Sequence, residues 1–233
     1  MLSRADIKAN AKEAMKQQWG TSIGAIVLTA VIAGAAGYIG GIFMFLLFIP
    51  TFAVIAFVSF PLSVGMQGVF AKIYRKEQTD VGQIFKGFSG NYMRKVGGMA
   101  WMALFVWLWT LLFIIPGIIK GISYSMIPFI LAESPNVPAR EAMKLSMRMT
   151  NGYKGEIFVM YLSFIGWYLL SFLTCGILAL VYVNPYANTT YAGYYVELKR
   201  RAIESGTISP AEFGEEIDIV VEENLDFPQQ FPN

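Results

Sequence analysis

The chain has no histidine and a single cysteine, Cys175, among its 233 residues. Histidine is the commonest metal ligand and general base near neutral pH, so its absence counts against a metal centre or a histidine-dependent active site. A lone cysteine excludes a disulfide within this sequence. We therefore expect no enzyme activity, no cofactor and no metal, with an enzyme that uses lysine or tyrosine as the remaining alternative.

Charge is also missing from three long stretches, residues 21–71, 96–132 and 157–196, in which Lys120 is the only Asp, Glu, Lys or Arg. A helix needs about 20 apolar residues to cross the hydrocarbon layer, and each stretch is long enough for two crossings. The mean hydropathy of +0.50, with 15% charged residues, agrees with a membrane class. The sequence predicts an all-α polytopic membrane protein with six transmembrane helices in three hairpins.

Proline and glycine set the predicted boundaries of these six helices. Pro50 and Pro116 suit first helical turns, and Cys175-Gly176 separates the last pair. Pro61, Pro128 and Pro185 are predicted to kink the second helix of each hairpin. The predicted helices cover approximately residues 22–42, 50–72, 96–115, 117–132, 157–174 and 177–196.

The connections between the predicted helices alternate between strongly basic and uncharged. Basic segments precede the first helix, follow the sixth, and join helices 2 to 3 and 4 to 5, whereas the other three turns carry no charge. Short loops rich in Lys and Arg stay in the cytoplasm. We therefore expect both termini to be cytoplasmic.

A short internal similarity suggests repetition. Residues 11–16, AKEAMK, recur at 139–144 as AREAMK, each just before an apolar hairpin. We predict a membrane domain over residues 1–202 with a threefold repeat, 3–76, 79–133 and 137–201, in which a cytoplasmic interfacial amphipathic helix precedes two spans. Coincidence in a Lys-, Ala- and Met-rich segment is the alternative. Residues 203–233, with eight acids and no base, are predicted to form a flexible cytoplasmic tail.

The first segment is predicted to be amphipathic. Its basic stripe consists of Arg4, Lys8, Lys12 and Lys16, beside an apolar stripe of Ile7, Ala11, Met15 and Trp19. Such a helix is expected in the headgroup plane, where anionic lipid attracts each charge by roughly 1 kcal/mol. The expected partners are membrane lipids with anionic headgroups and a membrane protein, not nucleic acid. A role in topology alone is the alternative for the basic stripe.

Several motifs resemble one known family. They are residues 112–133 (LFIIPGIIKGISYSMIPFILAE), 85–88 (FKGF), 161–167 (YLSFIGW) and 184–186 (NPY). With them the chain resembles the domain-of-unknown-function-975 family of bacterial integral membrane proteins over approximately residues 3–201. The resemblance implies an all-helical, multi-pass protein of the bacterial cytoplasmic membrane, and it supplies no activity or catalytic residues.

Polar residues concentrate on the second helix of each hairpin. The candidate cavity or ligand contacts are Ser63, Gln67, Lys120, Tyr124, Asn184 and Asn188. Because unpaired polar groups are costly in hydrocarbon, we expect these faces to line the bundle interior. Interhelical hydrogen bonding without a cavity is the alternative, and Lys120 could instead extend its ammonium to the headgroups.

Two functions are compatible with these patterns. The first is a non-enzymatic accessory or binding protein that acts through lipid and protein contacts. The alternative is a transporter or lipid translocase with a polar cavity lined by helices 2, 4 and 6. No residue set in the sequence identifies a substrate.

Overall fold

The computed structural model describes residues 3–47 and 51–214, and this part of the chain is helical without strands. These two described ranges contain nine α-helices: α1 (Arg4–Gln17), α2 (Trp19–Leu47), α3 (Thr51–Tyr74), α4 (Tyr92–Leu112), α5 (Ile114–Tyr124), α6 (Ile127–Glu133), α7 (Ala139–Met149), α8 (Lys154–Leu173) and α9 (Asn184–Glu204). Two short 3₁₀ helices, Val81–Gly87 and Pro210–Phe213, and a π-helical turn, Ala179–Val183, complete the described elements. The predicted all-α class is confirmed.

Four of the described helical stretches are long and apolar enough to cross a membrane. They are Trp19–Ile39, Ala56–Tyr74, Ile115–Glu133 and Lys154–Leu173. A membrane location is thus compatible with the fold. Six crossings arranged as three hairpins stay a prediction.

The three internal prolines have different effects on their helices. The predicted fourth helix is divided into α5 and α6, and Pro128 lies in the first turn of α6. A proline ring clashes with the carbonyl four residues earlier, which agrees with the end of α5 at Tyr124. Pro185 follows the π-helical turn at the start of α9, while Pro61 lies within the continuous α3.

The first helix begins with a capping box, in which Ser3 and Asp6 each accept a hydrogen bond from the other's backbone N–H. Its apolar residues Ile7, Ala11 and Met15 are fully buried, and α1 packs against α9 and α3. Gly193 permits this approach, because a Cβ there would lie 2.9 Å from Ile7 Cγ2. Three of the four residues of the apolar stripe are therefore covered by protein, whereas Trp19 begins α2 and is half-buried.

The basic stripe of α1 also reaches a neighbouring helix. Lys8 Nζ donates to Ser163 Oγ at 2.6 Å and lies 4.4 Å from the centroid of the Phe164 ring. Burial, together with the charge of Arg4, lowers the pKa of Lys8. This lysine thus links α1 to α8, which an isolated surface stripe would not do.

Packing density differs between the two ends of the long helices. Phe70, Tyr194 and Tyr195 are buried near the basic connections, where α1 crosses α9. By contrast, Phe172 and Leu173 are 88% and 79% exposed beside the uncharged turn after α8. Large exposed apolar surfaces of this kind mark a contact with lipid or with another protein.

The described end of the acidic tail packs back onto the helices. Ile208 and Phe213 are 1% exposed, and Ser209 and Glu212 form a capping box around Pro210–Phe213. Arg148 on α7 pairs with Glu212, and this hydrogen-bonded guanidinium lowers the pKa of Glu212. The rest of the predicted flexible tail, residues 215–233, lies outside the described residues.

Candidate functional site

Three of the predicted polar residues meet between α3 and α9. Gln67 Nε2 donates to Asn188 Oδ1 at 3.1 Å, and Asn188 Nδ2 donates to the Asn184 carbonyl at 2.9 Å. Asn184 Oδ1 accepts from the Tyr168 hydroxyl at 3.0 Å. Ser63 lies one helical turn before Gln67 and is half-buried. Hydrogen bonds thus join α3 to α9 and α8 to α9. Such bonds between helices are what the alternative without a cavity predicts.

The other two predicted residues lie on α5, which packs mainly against α4, α7 and α8. Lys120 Nζ is 5.3 Å from the centroid of the Trp109 ring and 6.0 Å from that of Tyr124. Tyr124 is buried and Lys120 is half-buried. An ammonium over the face of an aromatic ring is attracted by the ring quadrupole. These two residues thus form a group separate from the Gln67–Asn188 contact.

A larger polar feature lies at the basic ends of the helices. A cavity of about 380 Å³, here called the basic cavity, is enclosed by α3, the 3₁₀ helix Val81–Gly87, α4, α6 and α9. Its size falls within the ~300–1,000 Å³ usual for ligand pockets. Among the described lining residues five are cationic and one is acidic: Lys72, Arg75, Lys86, Lys95, Lys199 and Glu133.

Glycines allow the backbone segments around the basic cavity to touch. A Cβ on Gly65 of α3 would overlap the carbonyl oxygen of Ile84 and lie 2.8 Å from its carbonyl carbon. A Cβ on Gly87 would overlap the carbonyl of Pro61 in the same way. The 3₁₀ helix is therefore held directly against α3, which fixes one wall of the cavity.

Two of the cavity lysines are held by neutral oxygen acceptors. Lys95 is 8% exposed, and its Nζ donates to the carbonyls of Lys86 at 2.6 Å and Ser89 at 2.8 Å. Lys72 Nζ donates to Gln83 Oε1 at 2.8 Å. Within the described part of the chain, no carboxylate pairs with Lys72, Lys86 or Lys95.

Glu133, the last residue of α6, pairs with two of the other three cavity cations. It forms an ion pair with Arg75, and its Oε2 lies 3.7 Å from Lys199 Nζ. The Tyr195 hydroxyl donates to the same oxygen at 2.9 Å. One carboxylate therefore joins α3, α6 and α9, while the positive charge of the lining stays in excess.

The sequence patterns did not single out this cavity. Its cations occur in the basic connections, where the sequence pattern indicates a role in topology or in the attraction of anionic lipid. Lys72 and Lys199 are far apart in the chain, and only folding brings them to one wall. The sequence does contain one indication of close packing beside these cations: Gly65 and Gly68 come shortly before Lys72, and Gly87 follows Lys86.

Comparison with known proteins supports the family resemblance over part of the chain. Residues 98–202 match the family described as a protein of unknown function (DUF975). This confirms the resemblance for most of α4 through most of α9. The match does not include α3 or the 3₁₀ helix of the basic cavity. No curated protein and no solved structure matches the chain.

Proposed function

We propose that the protein is a non-enzymatic accessory or binding protein of the bacterial cytoplasmic membrane that acts through anionic lipid and a protein partner. The observation that carries this proposal is the basic cavity, in which five cationic side chains and one carboxylate gather at the ends of apolar helices. An anionic leaflet attracts each such cation by roughly 1 kcal/mol. A binding role needs no catalytic group.

In the proposed topology, α4 and the unit formed by the π-helical turn and α9 add two crossings to the four apolar stretches. Both termini then lie in the cytoplasm, on the side of the basic cavity. The alternation of basic and uncharged connections supports this orientation. The exposed apolar side chains near the uncharged turn after α8 suit a lipid environment.

Cysteine labelling in intact cells tests the orientation. Cys175 is exposed in the uncharged turn after α8, so a membrane-impermeant maleimide is expected to label it from outside. Gln78 is exposed in the basic connection after α3, and Gln78→Cys in a Cys175→Ser background is expected to react only after the membrane is permeabilised. Labelling of Gln78→Cys, but not of Cys175, in intact cells would reverse the topology.

Lipid retention tests the proposed function. The protein is extracted in mild detergent, and the lipids that co-purify are compared by mass spectrometry with those of the source membrane. We expect anionic lipids to be enriched in the bound fraction, because the cationic lining favours them over zwitterionic lipids. A bound fraction with the composition of the bulk membrane would contradict the proposal.

Transport or lipid translocation is the second candidate, and one observation favours it. Gln67 Oε1 is buried and accepts no hydrogen bond within the described structure. An unmet acceptor between α3 and α9 suits a polar ligand or water passing between the helices. Ligand-dependent flux in liposomes that Gln67→Leu abolishes would favour this candidate over an accessory role.

A further inference from the structure

We propose that the basic cavity binds a phosphate group, carried either by a lipid headgroup or by a small soluble phosphate. This inference rests on the proposed binding function and names the chemistry that the site recognises. Its basis is the convergence of cationic side chains from separate helices on one preformed space. Among the described residues, the carboxylates that pair with these cations, Glu77 and Glu133, are fewer than the cations.

Among the described residues, the balance of charge around the basic cavity favours an anionic ligand. Lys95 is nearly buried, and taking an ammonium from water without a counter-charge is costly. Lys72 and Lys86 line the same space, and no carboxylate of the described residues pairs with either. An anion in the cavity would offset the repulsion among these three lysines, which neutral carbonyl and amide acceptors do only in part.

Hydrogen-bond donors also remain available. A lysine ammonium has three N–H donors. Lys95 uses two of them on the carbonyls of Lys86 and Ser89, and Lys72 uses one on Gln83. Within the described part of the chain, Lys95 therefore keeps one N–H and Lys72 two with which to bind an oxygen-rich ligand in the shared cavity.

The number of available cations favours phosphate over carboxylate. A phosphate monoester carries about −1.5 to −2 charges and three strong acceptor oxygens, so several lysines can bind one group. A carboxylate brings one charge, and Glu133 already supplies this type of partner to Arg75 and Lys199. The surplus charge of the lining would repel a metal cation.

Glu133 gives the site a distinctive response to mutation. Its carboxylate holds Arg75 and Lys199 in place, and it also repels an anion that enters the cavity. Removal of its charge should therefore strengthen phosphate binding, whereas removal of charge from Lys72 or Lys86 should weaken it. Opposite signs within one cavity are not expected from a diffuse attraction to a basic surface.

The cavity is shaped before any ligand binds. Gly65 and Gly87 hold the 3₁₀ helix against the backbone of α3. On another wall, a Cβ on Gly68 would lie 3.2 Å from the Ala132 Cβ, which shows how closely α3 approaches α6. A rigid site loses little conformational entropy on binding, so its charge can contribute directly to affinity.

The experiment uses the full chain in nanodiscs of neutral lipid. Inorganic phosphate is titrated by calorimetry, and phosphatidic acid, as a lipid with a phosphate monoester, is titrated by native mass spectrometry. The test variants are Lys72→Gln with Lys86→Gln, and Glu133→Gln alone. The matched control is Lys76→Gln with Lys144→Gln, which removes the same charge from exposed positions outside the cavity lining.

We expect the Lys72 and Lys86 variant to weaken binding of the probe by roughly tenfold or more, and the control to weaken it about twofold or less. Glu133→Gln is expected to strengthen binding severalfold. Saturable binding of inorganic phosphate would assign a soluble ligand, whereas saturable binding of phosphatidic acid alone would assign a lipid headgroup. Binding of neither probe, or equal weakening by the cavity variant and its control, would overturn the proposal.

These outcomes separate the cavity from the wider function. Enrichment of anionic lipid that is unaffected by the Lys72 and Lys86 substitutions would leave the lipid-binding function standing and remove the cavity. Phosphate binding that depends on these lysines, without enrichment of anionic lipid, would support the phosphate site and contradict the lipid-binding function. The melting temperature of each variant is measured first. If the double variant of Lys72 and Lys86 does not fold, Lys86→Gln alone replaces it, because Lys86 is exposed and its substitution should disturb the fold little.

Discussion

Gly87→Ala is expected to lower the free energy of unfolding by about 3 kcal/mol or more. A Cβ at this position would overlap the carbonyl oxygen of Pro61 and lie 2.7 Å from its carbonyl carbon. Overpacking of side chains costs about 1–3 kcal/mol. Here the Cβ meets a backbone carbonyl, which cannot turn aside as a flexible side chain can. The 3₁₀ helix must separate from α3, which opens one wall of the basic cavity.

Gly65→Ala tests the same contact from its other side, because its Cβ would overlap the carbonyl of Ile84. Gly97→Ala is the matched control, since no atom lies within 4 Å of a Cβ at this position in α4. The control is expected to keep or raise stability by up to about 1 kcal/mol through helix propensity. Thermal unfolding in detergent measures all three variants.

Two outcomes would contradict a role of the close backbone contact in stability. If Gly87→Ala melted at the temperature of the unaltered protein, the close approach of the 3₁₀ helix to α3 would be wrong. If Gly97→Ala lost as much stability as Gly87→Ala, the effect would belong to glycine in general and not to this contact.

The helical class was predictable because it follows from local properties of the chain. The thickness of a bilayer sets the length of an apolar helix, so residues 21–71 alone indicate spanning helices. Backbone groups in hydrocarbon must pair within the segment, which favours helix. The division of the predicted fourth helix was harder to place. Pro128 indicated a kink, but a full break depends on how α6 packs against α3 and α4.

The fate of the apolar stripe on α1 illustrates a limit of periodicity. A stripe of Ile7, Ala11 and Met15 shows that one face avoids water, but it does not distinguish lipid from protein as the cover. In the structure, Gly193 and Tyr74 let α9 and α3 come close enough to cover it. Whether protein or lipid covers the stripe therefore depends on residues more than fifty positions away in the chain.

The candidate site shows the same division between local and distant information. The contact of Gln67 with Asn188 followed from two polar faces that each needed a partner in an apolar surrounding. The basic cavity did not follow, because a lysine that sets topology and a lysine that binds a ligand have the same appearance in a sequence. Only the packing of α9 near α3 and α6 shows that Lys72 and Lys199 share a space.

Arg94→Lys is expected to lower the free energy of unfolding by about 2 kcal/mol or more. The Arg94 guanidinium donates to the carbonyls of Leu131 at 2.8 Å and Ser134 at 2.9 Å, and also to that of Val137. These carbonyls lie at the end of α6 and in the turn after it. A lysine keeps the positive charge but lacks the planar fork, so buried carbonyls lose partners at about 1–3 kcal/mol each.

Arg140→Lys is the control, because Arg140 is exposed and the same exchange should change stability by no more than about 0.5 kcal/mol. Both exchanges conserve charge, so a difference in melting temperature reports hydrogen bonding and not topology. Since Arg94 holds α4 to the end of α6, and Glu133 and Lys95 line the cavity between them, the loss should extend to phosphate affinity. Equal melting temperatures for the two variants would show that the three carbonyls do not depend on Arg94.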